Sequence, residues 1–444
     1  MDIIEQLRAL ERRRKKSSSQ SSLATLVTGR ELPQLRQKNK ESLIRILPGE
    51  VRTGEAGSFL YLSEMFSREH RQGFQALPEQ FEPALLNRLA AGEEEIAGSC
   101  PHLVYLDTET TGLAGGAGTF AFLVGLGFWQ EQEGTERQFV VEQYFMRDYD
   151  EEPAMLAALD ERFKAEGFDA VVTYNGRRFD VPLLTARYIS NRKRDRISQL
   201  PQLDLLYPVR QLWKLKYGDC SLANIERQVL GVRRGLDIPG ADIPTTYFQF
   251  VRGGDPRRLL PIFQHNVDDI LSLAALTGRV VEQMAIADPE RLDPVEVYSL
   301  GKMHLQRGAL EEASAFLEKS DWEMLPFQIY LRSQKELSLA YKRKGQWERA
   351  VEFWLETVES FQCAPSVPRD EGGLDLFAFE ELAKYFEHCE KQFDRAREVV
   401  LKALELLAAQ SWPEMEAKLN HRLARLERKI GSAPVSSSPC EEDK

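Results

Sequence analysis

The sequence predicts a mixed α/β domain followed by an all-α domain. Between residues 100 and 288, short apolar strands alternate with amphipathic helices, and three strands precede the first of these helices. Three strands in succession, followed by alternating helices and strands, indicate a mixed sheet covered by helices. From about residue 294 every segment has the periodicity of a helix. The chain has 444 residues, 43% hydrophobic and 29% charged, which is typical of a globular protein with more than one domain.

The elements of the α/β part follow from their periodicity and from the residues at their ends. Strands are predicted over Leu103–Leu106, Phe120–Trp129, Gln138–Phe145, Ala170–Tyr174 and Leu203–Leu206. Helices are predicted over Glu151–Glu166, Val181–Asn191, Ser221–Leu230 and Arg257–Gln283. Together these elements predict one domain over residues 100–288.

Both ends of the chain are predicted to be disordered. Residues 1–50 form a basic and polar arm with a short helix over Ile3–Lys16, and residues 51–99 form a lead-in segment to the α/β domain. Residues 431–444 are rich in Ser, Pro and Glu and form a tail. No apolar run reaches the ~20 residues of a membrane span, and no signal-peptide core follows the basic N-terminal run. We therefore expect a cytoplasmic location and no membrane partner.

Three helical segments in residues 294–430 resemble one another. Each carries an alanine ahead of apolar residues, at Ala313, Ala350 and Ala396. A small residue at such a position lets the two helices of a hairpin approach closely. The pattern resembles degenerate tetratricopeptide repeats, which implies a protein partner for this domain. A generic helical bundle is the alternative.

Charge and cysteine usage narrow the functions that this chain can have. Five scattered cysteines without a Cys-x-x-Cys pair argue against a disulfide framework and against a thiolate zinc site. The net charge of −11 disfavours binding to nucleic acid. Residues 176–258, however, carry sixteen Lys and Arg against eight Asp and Glu. Such a basic block is typical of a surface that tracks phosphates, with a solvated protein face as the alternative.

The strongest chemical signal is the sequence VYLDTETTGL, which begins at Val104. Asp107 and Glu109 lie two residues apart at the end of a buried strand, where residues i and i+2 project on one face. Two adjacent carboxylates repel each other unless a cation joins them, and Mg²⁺ and Mn²⁺ prefer such oxygen ligands. A solvated acidic pair is the alternative, which the flanking apolar strand and Thr-Thr-Gly disfavour.

Two further acidic residues lie at positions that fit the same site. Asp180 follows a strand and a glycine-containing turn and opens a helix, where it is either a site residue or a helix N-cap. His265 and Asp269 are i and i+4 on the last helix of the domain, so they share a half-apolar face. A carboxylate on that face needs a partner, and a metal ion would serve. Asp268 is expected on the solvent-facing side of the same helix.

The order and context of these four acids resemble the DEDD 3′→5′ exonuclease superfamily, which has a ribonuclease H-like fold. The strings LDTETTGLAGGAGTFAFLVG, YNGRRFDVPLL and HNVDDILSL are similar to those of the YprB-type ribonuclease H-like proteins of bacteria. The resemblance covers roughly residues 100–285, and helical repeats after it fit the same architecture. One position departs from the pattern. His265 lies four residues before Asp269, where the superfamily has a tyrosine, whereas its histidine lies five residues before.

The resemblance implies hydrolysis of phosphodiesters with two divalent ions, Mg²⁺ or Mn²⁺. Asp107 would bridge both ions, Glu109 and Asp269 would complete one site, and Asp180 would act on the second. His265 is the candidate general base, with orientation of Asp269 by a hydrogen bond as the alternative. The remaining candidates contact substrate or support the site: Thr108, Asn175, Arg177, Arg178 and Phe179 for substrate, and Asp204 for support.

A glycine-rich segment and two phenylalanines lie near these motifs, and they indicate less about function. The glycine-rich segment GGAG at residues 115–118 is not a P-loop, because no Gly-Lys-Ser/Thr follows it. We expect it to permit a close backbone approach at the strand end. Phe120 and Phe179 are aromatic candidates for stacking on bases, although buried packing is the favoured interpretation of both.

Two functions of different classes follow. The leading hypothesis is a metal-dependent 3′→5′ exonuclease that acts on single-stranded or frayed DNA or RNA. The alternative is a nucleic-acid-binding scaffold with a weak or inactive nuclease fold, whose repeats bind a protein partner. The presence of all four acids favours the enzyme, and the histidine spacing favours the scaffold. A purely structural helical-repeat adaptor does not explain Asp107 and Glu109 at one strand end.

Overall fold

The computed structural model describes residues 32–89, 96, 101–112, 118–131, 136–235, 237–319, 325–363, 376–408 and 412–431. The predicted helix Ile3–Lys16, most of the glycine-rich segment and nearly all of the C-terminal tail lie outside the described residues. The chain divides into two compact units, Met1–Ile286 and Ala287–Lys444, which are described separately.

A seven-stranded mixed sheet forms the centre of the first unit. Its strands are β1 (Gly49–Gly54), β2 (Gly57–Phe66), β5 (Leu103–Thr110), β6 (Ala121–Gln130), β7 (Gln138–Phe145), β8 (Ala170–Thr173) and β9 (Gln202–Asp204), and a separate hairpin joins β3 (Arg71–Gln72) to β4 (Gln75–Ala76). Their order in the large sheet is β1-β2-β7-β6-β5-β8-β9. The pairs from β1 to β5 are antiparallel, and β8 and β9 continue the sheet in parallel with β5. The predicted mixed sheet is confirmed.

Helices cover both faces of this sheet. They are α1 (Leu32–Ile46), α2 (Pro83–Leu89), α3 (Glu152–Glu166), α4 (Asp180–Ser190), α5 (Leu206–Tyr217), α6 (Leu222–Ile225), α7 (Ile243–Val251) and α8 (Leu260–Met284). Short 3₁₀ turns lie at Tyr149–Glu151, Ile197–Gln199, Gly240–Asp242 and Pro256–Leu259, and a π-helical turn at Glu226–Leu230 follows α6 directly. Glu142 of β7 pairs with Arg162 of α3, whereas the adjacent Gln143 bonds to α8. Because neighbouring strand residues point to opposite faces, α3 and α8 cover opposite faces of the sheet.

The sheet extends further toward the N-terminus than the sequence predicted. The expectation of a disordered arm over residues 1–50 is wrong for residues 32–50, which form α1 and the start of β1. The segment expected as a lead-in supplies most of β1 and all of β2, which are two strands of the main sheet. The physical reason is burial, since Leu43 of α1 and Leu60 of β2 are fully buried in the main core. The sequence also failed to predict α5 and α7.

The second unit is helical. Its helices are α9 (Pro294–Gln306), α10 (Leu310–Leu317), α11 (Phe327–Arg343), α12 (Trp347–Cys363), α13 (Phe377–His388), α14 (Phe393–Ala408) and α15 (Pro413–Gly431), with a 3₁₀ turn at Pro289–Arg291 before them. Helices adjacent in sequence pack against each other around one apolar core. Ala313, Ala350 and Ala396 are fully buried, which fits the expected close approach of helices. In the part of the chain that is described, no helix is long and apolar enough to cross a membrane.

Candidate active site

Carboxylates from three separate elements approach one another beside the C-terminal half of β5. Asp107 and Glu109 belong to β5, Asp180 is the first residue of α4, and Asp269 lies on α8. Burial raises the pKa of Asp107 well above its ordinary value, and the charges of Asp269, Glu109 and Asp180 raise it further, in that order. The structure therefore brings the four acidic residues together.

Asp107 is held by a chain of amide hydrogen bonds that begins in the sheet. Gln143 of β7 donates from Nε2 to Oδ1 of Asn266, with 2.9 Å between them, and Asn266 donates from Nδ2 to Oδ2 of Asp107 at 2.8 Å. Gly125 lies between Asp107 and Gln143 in the sheet register. A Cβ atom at Gly125 would lie 2.3 Å from Oδ1 of Asn266, so only glycine allows α8 to approach this closely.

Glu109 carries its carboxylate into a buried environment two residues further along β5. Its residue exposure is 8%, and the strand register shifts between Glu109 and Thr110. Burial raises the pKa of Glu109 to about 8, because the lowering effect of His265 is smaller than the desolvation, to which Asp269 adds. A cation bound beside such a carboxylate would favour its ionised form.

Asp180 is held by the residue between the two strand acids. The Thr108 hydroxyl donates a hydrogen bond to Oδ1 of Asp180. Burial raises the pKa of Asp180 to about 6, against the lowering effect of this hydrogen bond. The capping position before α4 belongs to Phe179, so the interpretation of Asp180 as the N-cap is wrong. Because the Thr108 side chain is engaged here, its immediate role is to position Asp180, and a contact with substrate stays a prediction.

Asp204 fixes the turn that leads to Asp180. Its carboxylate accepts hydrogen bonds from the backbone N–H groups of Asn175 at 2.7 Å, Leu206 at 3.1 Å and Arg177 at 3.3 Å. Asn175 has a φ of 65°, in the left-handed region that asparagine tolerates better than most residues. Asp204 therefore lies behind the turn and supports it.

The turn presents an exposed pair of residues immediately before the acidic site. Arg178 is exposed, and 54% of Phe179 is exposed. The favoured expectation of buried packing is therefore wrong for Phe179, because no element covers it in the described structure. Phe120 behaves as expected, since its ring packs against Tyr149 with centroids 4.9 Å apart and against the Arg187 guanidinium at 4.0 Å.

The imidazole ring of His265 is held by Asp237, an acidic residue that was not predicted as part of the site. Its Nδ1 lies 2.6 Å from Oδ1 of Asp237 and 3.1 Å from Nη1 of Arg234, and these two contacts hold the ring in place. Nε2 lies 3.6 Å from Oδ2 of Asp269 and 3.9 Å from Oε1 of Glu109, which is too long for a hydrogen bond to either. The orienting bond to Asp269 is therefore not formed. Burial lowers the pKa of His265, but the bond to Asp237 and the charges of Asp269 and Glu109 raise it to about 9.

Arg234 also lies in the site, although the sequence did not predict it there. Its guanidinium donates to Asp269 and, from Nη2 and Nε, to Glu226 at 2.6 and 2.9 Å. The expectation that the basic block forms a surface is wrong for Arg234 and for Arg187, which are largely buried and paired with Glu226 and Glu152. No sequence pattern distinguishes these two arginines from the exposed ones around them. Asn266, in contrast, is next to His265 in the motif and lies about one helical turn before Asp269. This position between two candidate site residues could have identified it from the sequence.

The other side of α8 differs from the expected solvent-facing surface. Asp268 is half-buried and accepts a hydrogen bond from Gln264 at 2.9 Å. Ser272, on the same side, is fully buried and accepts a hydrogen bond from Gln72 at 3.0 Å. The hairpin of β3 and β4 covers this side, which the sequence pattern did not reveal. Asp268 still lies outside the group of four acids.

The donor set fits a hard divalent cation, although the ligands are not assembled around one. Among the residues that the structure describes, no group of three or more His, Cys, Asp or Glu side chains is arranged to hold a metal ion. Three of the four carboxylates instead accept hydrogen bonds from the amide, hydroxyl and guanidinium groups described above. Four clustered carboxylates supply the oxygen ligands that Mg²⁺ and Mn²⁺ prefer, and burial raises the pKa of Asp107, Glu109 and Asp180, which a bound cation would offset.

Comparison with known proteins identifies the family. The family model RNase_H_2, of the RNase_H superfamily, matches residues 104–281, which agrees with the expected ribonuclease H-like fold. A family B DNA polymerase from the hyperthermophilic archaeon Pyrobaculum calidifontis is similar over 49% of this chain and 30% of its own, with 16% identity and a TM-score of 0.34. The match spans less than a third of the polymerase, and a likeness of this size supports no conclusion about function. The chain is 33% identical over 341 residues to "Uncharacterized protein YprB" of Bacillus subtilis (strain 168), covering 74% of this chain and 76% of that protein. This chain therefore belongs to the YprB family, with a ribonuclease H superfamily domain in its first unit.

Proposed function

We propose that this protein is a metal-dependent nuclease that removes nucleotides from the 3′ end of single-stranded or frayed DNA or RNA. The observation that carries the proposal is the convergence of Asp107, Glu109, Asp180 and Asp269 in one largely buried site of a ribonuclease H superfamily domain. Buried carboxylates that raise each other's pKa are unfavourable without a cation, and such groups cluster at functional sites. We propose Mg²⁺ or Mn²⁺ as the cofactor, with two ions per site.

The chain's own residues orient the carboxylates for this task. Ions bound there would stabilise negative charge on the attacking and leaving oxygens of a phosphodiester. Asn266 fixes Asp107 from the side of α8, and Thr108 fixes Asp180. Asp237 holds the ring of His265 so that Nε2 faces the space between Glu109 and Asp269. From that position Nε2 would exchange a proton with a water or substrate oxygen placed between these two carboxylates.

The turn before Asp180 supplies the substrate contacts. Arg178 and Phe179 combine an exposed positive charge with an exposed aromatic face. Single-stranded nucleic acid is bound in this way, by charge along the backbone and by stacking on bases. Asn175 and Arg177 lie in the same turn, which Asp204 holds in place. We propose that this turn receives the terminal nucleotides.

We further propose that the helices of the second unit are degenerate tetratricopeptide repeats that bind a protein partner, and that the protein works in the cytoplasm. The paired helices and the buried alanines at three corresponding positions support the repeat assignment. A second candidate function is a nucleic-acid-binding scaffold with a weak or inactive nuclease fold. The pairing of Arg234 with Asp269 favours it, because that carboxylate is already engaged.

The proposal is tested with single strands of DNA and RNA labelled at the 5′ end, incubated with the full chain and Mn²⁺ or EDTA. We expect a ladder of successively shorter labelled products with Mn²⁺ and none with EDTA. A strand whose 3′ end is blocked by an inverted nucleotide is the matched control, and it should resist degradation. Cleavage of the blocked strand at internal positions would reject the exonuclease mode. Binding without cleavage of any strand would support the scaffold.

A further inference from the structure

Arg234 lies inside the acidic site. Its side chain is 10% exposed, and its guanidinium bonds at once to Asp269 and to Glu226, whose own side chain is 2% exposed. Two donors, Nη2 and Nε, contact the two oxygens of Glu226 at 2.6 and 2.9 Å. One guanidinium therefore joins a buried carboxylate behind the site to one of the four carboxylates within it.

The chain geometry that places Arg234 is specific. Glu226 begins a π-helical turn that ends at Leu230, and Gly231 then reverses the chain with a φ of 72°. The backbone N–H of Val232 returns to the Glu226 carbonyl at 3.0 Å. Turns of the π type are rare and occur frequently at functional sites. This return brings Arg234 back over Glu226 and within reach of Asp269.

The charges around Asp269 show why a cation is needed there. Asp269 is 9% exposed and lies close enough to Asp107 to raise the pKa of that residue. A buried carboxylate beside another is strongly unfavourable without a positive partner. Arg234 supplies a full positive charge by direct contact, whereas the nearest nitrogen of His265 is 3.6 Å away. The guanidinium thus engages Oδ1, one of the two carboxylate oxygens that Asp269 could offer to a metal ion.

We infer that Arg234 competes with a divalent cation for Asp269, so that a metal ion binds Asp269 only when the guanidinium leaves that carboxylate. The inference rests on the proposed function, in which Asp269 is a metal ligand. Glu226 keeps two hydrogen bonds to the guanidinium when the contact with Asp269 breaks, so Arg234 remains tethered at the edge of the site. The competition makes metal binding weaker than the carboxylates alone would give.

The test is calorimetric titration of the full chain with MnCl₂, without nucleic acid. We expect the Arg234→Met variant to bind Mn²⁺ about tenfold more tightly than the wild type, since a hydrogen bond between charged groups no longer has to be broken. Arg233→Met is the matched control, because Arg233 is the adjacent residue and is exposed. It removes the same charge from the same loop, and its Mn²⁺ affinity should stay within about twofold of the wild type.

A second variant guards against a folding defect. Arg234→Met leaves Glu226 buried without a cation, so the double variant Glu226→Gln/Arg234→Met is titrated beside it and should also bind Mn²⁺ more tightly than the wild type. The inference is overturned when both variants bind Mn²⁺ no better than the wild type. If the wild type cleaves no strand but the variants bind Mn²⁺ more tightly, the proposed nuclease activity is rejected and the competition between Arg234 and the cation is retained. A wild type that cleaves, beside variants without gained affinity, rejects only the competition.

Discussion

Asn266 donates a hydrogen bond from its side-chain amide to the Asp107 carboxylate, with 2.8 Å between Nδ2 and Oδ2. Asn266 is fully buried, and the hydrogen bond that its Oδ1 accepts from Gln143 fixes which way the amide points. The central carboxylate of the site is therefore oriented by α8 and β7 before any ligand arrives. Partners of this kind, behind the ligands, commonly determine how well a site works.

We predict that Asn266→Ala lowers kcat by about 10–100-fold, because Asp107 loses the donor that orients it. KM for a single strand should change much less, since Asn266 lies behind the carboxylate. Steady-state nucleotide release measures both parameters. Gln264→Ala is the control, because Gln264 lies on the same helix and bonds to Asp268 instead. A kcat for Asn266→Ala within about twofold of the wild type would show that the orientation of Asp107 does not depend on this bond.

Asp269 and the adjacent Asp268 are expected to differ sharply. We predict that Asp269→Asn lowers the cleavage rate by about a thousandfold or more, since it removes a charge from the group of four acids. Asp268→Asn should retain most of the activity, because Asp268 bonds to Gln264 away from that group. Cleavage rates of the two variants at one Mn²⁺ concentration give the comparison. Loss of activity in Asp268→Asn with an active Asp269→Asn would reverse the assignment.

Phe179 is expected to act on substrate affinity. We predict that Phe179→Ala raises KM for single strands by about tenfold with a small change in kcat, because stacking on an exposed ring contributes about 1–3 kcal/mol per base. Ile189→Ala is the matched control, since Ile189 is also exposed and lies near the other end of α4. Steady-state kinetics on a strand of fixed length measures both variants. Equal KM values for the two would show that Phe179 does not contact the strand.

Glu387 stabilises the second unit in a pH-dependent way. Burial raises its pKa, but hydrogen bonds from Arg425 and Lys429 outweigh burial and lower it to about 2. Since the folded-state pKa lies below the ordinary 4.5, the stabilisation is fully present above pH 4.5 and is lost as the pH falls toward 2. We predict that Glu387→Gln lowers the free energy of unfolding by about 2–3 kcal/mol at pH 7, and by less at pH 3.

Urea unfolding followed by far-UV circular dichroism at the two pH values measures this difference. The control is Glu390→Gln. Glu390 is exposed and lies 3.6 Å from Arg395, and such an exposed ion pair contributes little to the free energy of unfolding. An effect of Glu387→Gln that is equal at pH 7 and pH 3 would indicate lost packing and no ionic contribution.

The sequence predicted those parts of the site that depend on local periodicity. The two-residue spacing of Asp107 and Glu109 puts both on one strand face, and the four-residue spacing of His265 and Asp269 puts both on one helix face. Arg234 could not be predicted, because its place depends on a π turn and a chain reversal that bring it to Asp269 from 35 residues away. Rules based on the spacing of residues within one strand or helix do not predict contacts between residues that are far apart in the sequence.

The same distinction applies to the fold. The central strands were predicted because each is a short apolar run that stands out from its surroundings. Strands β1 and β2 were missed because their membership of the sheet depends on pairing, and the partner of β2 is β7, far along the chain. The side of α8 that carries Asp268 was misjudged for a similar reason, since the β3–β4 hairpin that covers it comes from residues 71–76.

The most direct test of the proposed catalytic centre compares the wild type with Asp107→Asn in Mn²⁺-dependent release of nucleotides from a single strand. Asparagine keeps the size of the side chain and removes the charge, and melting curves without metal establish that the variant is folded. We expect release by the wild type, none with EDTA, and a loss of about a thousandfold or more in Asp107→Asn. Release by Asp107→Asn at a rate close to that of the wild type would contradict a catalytic centre built on these four carboxylates.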